Sequence, residues 1–183
     1  VRNLRGLMVA ALVAVSVSGC AEQEKAPEPA PAVEVTQWST VSDVCPTLTA
    51  PRFADISAGT FDASTGFCQY GGPDAPVSMT ARFHVAGDGT AETAAMAADS
   101  ARRAGLGRLE AAKAASEPVI SISAVGDGAV GYVKDGQLVG HAWSKNATVL
   151  ALFDGVTVES NAAMVEQAGD LKAVLGDLLS ALR

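Results

Sequence analysis

Residues 129–153 read AVGYVKDGQLVGHAWSKNATVLALF, three apolar runs parted by two short polar breaks. The runs at 129–133, 137–143 and 148–153 are rich in β-branched and aromatic side chains, which suit a pleated surface. The first break carries Asp135-Gly136, a pair that tolerates the positive φ angles of a two-residue hairpin turn. Ser144-Lys145-Asn146 makes the second. Links this short join antiparallel neighbours, because a parallel pair needs a crossover of a dozen residues or more. The strands over 137–143 and 148–153 are apolar on both faces, where a half-solvated strand would alternate. The sheet is therefore expected to be covered on both sides, or to form a pocket on one.

The same logic extends outward. Upstream, 119–125 is a further β-rich run. Pro76 opens an alternating strand in which Val77, Met79, Ala81, Phe83 and Val85 share one face and Ser78, Thr80, Arg82 and His84 the other. Gly87-Asp88-Gly89 ends it, and Thr90 is placed to cap an Ala-rich helix to about Ala104, whose Ala91, Ala94, Ala95 and Ala98 permit close packing on a sheet. Gly66 to Tyr70 reads as a strand carrying Cys68. Before it, Thr49 reads as the N-cap of a short helix with Pro51 in its first turn, ending near Ile56. Downstream, a helix from about Ala162 to Leu182 carries the stripe Met164, Ala168, Leu171, Leu175, Leu178, Leu182. That stripe resembles half a coiled-coil seam, but without sustained heptads and charged flanks it reads as a helix laid on its own sheet. The expected fold class is α+β: a mostly antiparallel sheet of about five to six strands with two to three packing helices.

The N-terminal segment carries an address. Arg2 and Arg5 precede an apolar run from Leu7 to Val15, and Val17-Ser18-Gly19-Cys20 closes it with small residues before a cysteine. That layout is read as a bacterial lipoprotein signal over 1–19, whose cleavage leaves Cys20 as the acylated N-terminus, palmitate included. The expected location is the extracytoplasmic face of the cell membrane. Residues 20–37 form a tether, since AEQEKAPEPAP at 21–31 favours extended polyproline-like conformations, and the tether's about seventeen residues reach roughly 50 Å at ~3.1 Å per residue. The folded domain is expected over 38–183. Val at position 1 and the Ala/Gly/Val/Asp-rich composition fit a GC-rich genome using a GTG start.

Of the chain's 183 residues, 13 are Lys or Arg and 20 are Asp or Glu, for a formal charge of −7. Loss of Arg2 and Arg5 with the signal takes the mature chain to about −9, a sign that disfavours nucleic acid and anionic lipid surfaces. Membrane attachment is then the work of the acyl chains at Cys20. The remaining cysteines, Cys45 and Cys68, read as a disulfide in an oxidising compartment, the alternative being two buried reduced thiols.

No catalytic set stands out. Gly126-Asp127-Gly128-Ala129-Val130-Gly131 matches G-x-G-x-x-G, but a strand and a hairpin turn follow it instead of the helix that would face a pyrophosphate. There is no Gly-x-Ser-x-Gly elbow. His84 and His141 lack a spaced partner for a metal, and no cofactor is implied. His84 falls on a polar strand face beside Arg82 and Thr80. His141 shares a face with Val139 and Trp143, so His141 and Trp143 are the candidate pocket residues. Asp127, Asp135 and Asp154 sit at turns, where Asp is expected for backbone reasons, and would need to converge to do paired-carboxylate chemistry. Asn146-Ala147-Thr148 satisfies the glycosylation sequon, without meaning behind a bacterial signal.

With Cys45-Pro46-Thr47-Leu48, Cys68-Gln69-Tyr70, Val125-Gly126-Asp127-Gly128-Ala129 and the 162–182 helix in view, the chain resembles uncharacterised mycobacterial-type envelope lipoproteins of actinobacteria. The resemblance spans roughly 40–182 and departs at Cys-Gln-Tyr, where Cys-Thr-Trp is commoner. Extracellular sensor domains of actinobacterial kinases and PsbP-like lipoproteins share a similar plan. The resemblance implies fold and location but no reaction. The expected role is a non-enzymatic module that binds a small hydrophobic ligand or an envelope protein. The alternatives are a partner subunit of a membrane complex docking through the C-terminal helix, or a carboxylate-dependent envelope hydrolase.

Overall fold

The computed structural model describes residues 38–86 and 91–183. The signal, Cys20, the tether and the Thr90 cap lie outside them. Among the described residues no helix is long and apolar enough to cross a membrane.

A 3-10 helix, η1 (Pro51–Ile56), precedes three strands, β1 (Gly59–Asp62), β2 (Phe67–Tyr70) and β3 (Ser78–Val85). Helix α1 (Ala91–Ala114) leads to β4 (Val119–Ile122), β5 (Gly128–Lys134), β6 (Gln137–Ser144) and β7 (Ala147–Asp154), and α2 (Asn161–Leu179) ends the order. All pairings are antiparallel, and the sheet runs β1-β2-β3-β7-β6-β5-β4. Two meanders thus meet where β7 returns beside β3. The fold is α+β as the sequence implies, with seven strands among the described residues instead of five or six. The additional strand, β1, is a short edge with the burial of a surface segment, and GTFD has no alternation to betray it.

The hairpin turns follow their residues. Asp135 and Gly136 both take positive φ, 52° and 80°, and connect Lys134 to its partner Gln137. Such mirror-image turns match the strand twist. Lys145, at φ 52°, serves the same purpose between Ser144 and Ala147.

One sheet face is fully roofed. Leu171 and Leu175 of α2 lie over Gly131 and Gly140, the second of which would set a Cβ 3.3 Å from Leu175. Met164, Leu171, Val174, Leu175 and Leu178 are all buried, so the apolar stripe of α2 is spent on its own sheet. Over β1–β3 the roof is the segment before β1. Cys45 bonds Cys68 with Cα atoms 5.6 Å apart, Tyr70 Oη donates to Pro46 O at 2.8 Å, and Phe53 stacks on Phe153 with centroids 4.9 Å apart. Thr49 does not cap η1, whose N-cap is Ala50 with no side-chain bond. Its backbone N–H and hydroxyl instead donate to the Asp177 carboxylate at 2.7 and 3.0 Å, pinning η1 to α2.

The other face is roofed only in part. Helix α1 packs on β4–β7 through Ala101, Gly105, Leu109 and Ala112, a stripe of mostly small residues that brings the helix close. It runs ten residues past the expected end. Gly105 and Gly107 each cost about 1 kcal/mol of helix propensity, which packing on the sheet outweighs. Its end is a Schellman-type cap with Ser116 at φ 58°, Glu117 N–H donating to Ala112 O and Ser116 N–H to Lys113 O. A serine where glycine is usual hides that boundary in the sequence.

Candidate functional site

The half-roofed face is built from rows of cross-strand neighbours. Arg82, Leu150, His141 and Val130 form one row across β3, β7, β6 and β5; Thr80, Leu152, Val139 and Tyr132 form the next. Adjacent strands lie about 4.8 Å apart, so four residues in a row span roughly 15 Å. Helix α1 covers the β5–β6 side of these rows and stops short of β3. A cavity of about 410 Å³ fills the angle between helix and sheet. Its floor is Val139, Leu150 and Leu152, and its remaining walls include Tyr132, Thr148 and Ala104 of α1. A second cavity of about 230 Å³ shares His84, Ala104 and Thr148 with the first and continues along α1 to Ser100 and Asn146.

The charged groups in the larger cavity are all basic. Arg82 enters from β3, Arg108 from α1 and Lys134 from β5, with His84 and His141 beside them, and no carboxylate lines it. Among the described residues none of the three cations lies within salt-bridge distance of an acid; the described ion pairs belong to Asp99 and Glu110 on α1. Arg82 lies 4.9 Å above the Phe67 ring, which steadies its guanidinium.

His141 sits in this wall only 7% exposed, and its Nδ1 has no hydrogen-bond partner. Burial first, and the Arg108 guanidinium second, push its pKa down from 6.5 to about 4, so the ring is neutral at neutral pH. Tyr132 is pushed up by burial against an opposing pull from Arg108. One pH effect follows from His141. The unfolded chain takes up this proton near pH 6.5 and the folded one near pH 4, so between them the unfolded state holds more protons. The stabilisation is whole above pH 6.5 and is lost as the pH falls towards about 4, a change on the order of 3 kcal/mol. Urea midpoints measured against pH should fall less steeply across this window in His141→Leu. Parallel curves for the two proteins would mean the ring titrates normally.

The two candidate pocket residues part company here. His141 lines the cavity, whereas Trp143, on the same face, is not among the lining residues and lies beneath α1. A Cβ at Gly105 would stand 2.3 Å from Trp143 Cζ3, and one at Gly128 2.3 Å from Cζ2, so the indole fills the space that two glycines leave. The His141 and Trp143 rings meet edge to face at 6.1 Å. His84 is exposed, as its polar strand face implies, and lines both cavities.

The turn carboxylates are all exposed and do not form one site. Asp127 accepts from the Lys145 N–H at one end of the sheet, while Asp135 and Asp154 lie at the other, a strand's length away. Asp154 accepts from Gln137 Nε2. Asn146 of the sequon is buried as a clamp: its Oδ1 accepts from Trp38 N–H at 2.7 Å and its Nδ2 donates to Trp38 O and Ala86 O. Sequence reasoning missed Arg82, Arg108 and Lys134 as site residues. They stand far apart along the chain, and the pairing of β3 with β7 together with the packing of α1 on β5 and β6 brings them to one cavity. Compared with protein-family models, curated proteins and solved structures, the chain finds no match, and the cavity's own chemistry is what bears on its role.

Proposed function

We propose that this protein is a lipid-anchored module of the bacterial cell envelope, acylated at Cys20, whose domain binds a small, partly apolar molecule without transforming it. The observation that carries this reading is the cavity between α1 and the sheet. It has an apolar floor, a few polar groups at its walls and a volume within the usual range of ligand sites. The Cys45–Cys68 bridge is in keeping with an oxidising compartment. The signal layout and the resemblance to actinobacterial envelope lipoproteins support the location. A docking role for the C-terminal helix has less support, because its Leu stripe is buried.

The test is native mass spectrometry of the chain carrying Cys20→Ser, secreted from an actinobacterial host. A bound molecule of reproducible mass is expected, lost on denaturation and absent from Ala104→Trp, where the indole occupies the cavity. Equal occupancy in both proteins would remove the cavity from the reading. The unaltered chain should fractionate with membranes and the Cys20→Ser chain should not.

A further inference from the structure

We infer that the ligand of this cavity is an amphiphilic organic anion, a carboxylate or phosphate monoester on an apolar body, held by Arg82 and Arg108. The inference rests on the pocket reading and adds the charge of what fills it.

Charge distribution argues first. The chain carries 20 acidic residues against 13 Lys and Arg, yet Arg82, Arg108 and Lys134 converge on one cavity that no Asp or Glu lines. All three are exposed to solvent and among the described residues none has an ion-pair partner; Arg82 lies over the Phe67 ring. An anion seated in the cavity would meet positive charge from β3, α1 and β5 and no carboxylate of the lining. Two acids of the sheet share this face beyond the lining: Asp62, two strands from Arg82 in its own row, which accepts from Ser64 and Thr65, and Asp154, one row past Leu152, which accepts from Gln137.

His141 argues second. It lines the cavity, and since its Nδ1 is shut away from solvent, Nε2 is the ring nitrogen left for a ligand. In the tautomer that carries its proton on Nε2, the neutral ring donates one N–H to an oxyanion, and His141 adds a directional bond to the charge supplied by the arginines.

Shape argues third. Leu150, Leu152 and Val139 offer the anion no partner and require an apolar body. The smaller cavity, running past Ala104 and Thr148 towards Ser100, extends the space along α1. Inorganic anions would leave that floor uncovered. An acyl or alkyl chain covers it.

The experiment uses the full chain with Cys20→Ser, so that no acyl group of its own competes. Calorimetric titrations with decanoate, decyl phosphate, decanol and decyltrimethylammonium compare four charges on one apolar body, and inorganic phosphate supplies the anion alone. Decanoate or decyl phosphate should bind with one-to-one stoichiometry and at least roughly tenfold more tightly than decanol. The preferred member of the pair identifies the headgroup. Arg82→Gln and Arg108→Gln should each weaken that binding by roughly tenfold or more while leaving the circular dichroism and urea midpoint near those of the parent. His141 ring resonances should shift on saturation, and the His141 pKa should rise beside the anion. Decanol binding as tightly as decanoate, or unaltered affinity in both arginine variants, would overturn the anion and leave the pocket standing. Inorganic phosphate binding as tightly as decyl phosphate would overturn the amphiphile. No binding of any probe would overturn the anion and the pocket together.

Discussion

Trp143→Ala is expected to lower the unfolding free energy by about 3–5 kcal/mol, the largest effect of any single substitution proposed for this chain. The indole is 5% exposed and fills the gap between α1 and β5. Its removal leaves a void the sheet cannot close, since Gly105 and Gly128 above and beside it have no side chains to move in. The glycines provide a sharper form of the same test. In an ordinary helix Gly→Ala stabilises by about 1 kcal/mol. Here Gly105→Ala should destabilise, because its Cβ would lie 2.3 Å from Trp143 Cζ3. Placed in the Trp143→Ala background, the same substitution should regain its ordinary sign. Urea unfolding of the four proteins measures the cycle. A stabilising Gly105→Ala in the parent would show that α1 does not approach the sheet as described.

The second large effect is expected at the disulfide. With Cys45 and Cys68 23 positions apart, the chain-entropy model gives a stabilisation of about 3 kcal/mol. The Cys45→Ala, Cys68→Ala protein should lose about that much. The loss should also be local in character. The bridge holds the segment that carries Pro46 and Phe53 over β2 and β3, so amides of 45–57 and β2 should exchange faster than those of β5–β7. The checks are the urea midpoint with and without reductant, and residue-resolved hydrogen exchange. An unchanged midpoint would mean that the Phe53–Phe153 stack and the Thr49–Asp177 bonds hold this roof by themselves.

What could be read from the sequence was governed by local chemistry. Asp135-Gly136 announces its turn because few other pairs adopt two successive positive φ angles, and the hairpin β5–β6 follows from it; the polar break Ser144-Lys145-Asn146 marks β6–β7 in turn. The Met79, Ala81 alternation marks the core face of β3 for a similar reason: period two leaves only one way to bury it. The later half of α1 was hidden by Gly105 and Gly107, which speak against a helix until Trp143 is seen beneath them. Strand β1 was hidden because an edge with one neighbour needs no apolar pattern. The site was legible only in part. Alternation places His141 and Trp143 on one face, but the position of α1 makes one a cavity wall and the other a packing residue. Arg82, Arg108 and Lys134 carry no signal along the chain, since each looks like a solvated cation until β7 returns to β3 and α1 packs on β5 and β6.

The first and last described residues of the domain are joined by hydrogen bonds. Ser39 and Thr40 N–H groups donate to Arg183 O, Arg183 N–H donates to Thr40 O, and Val41 bridges Leu182. In path terms the domain is a nearly closed ring, cut open at one point and sewn shut there by main-chain bonds. A peptide of a few residues would span the seam, and the exposed Asp135-Gly136 turn, far along the ring, offers a new pair of ends with the same neighbours on every strand.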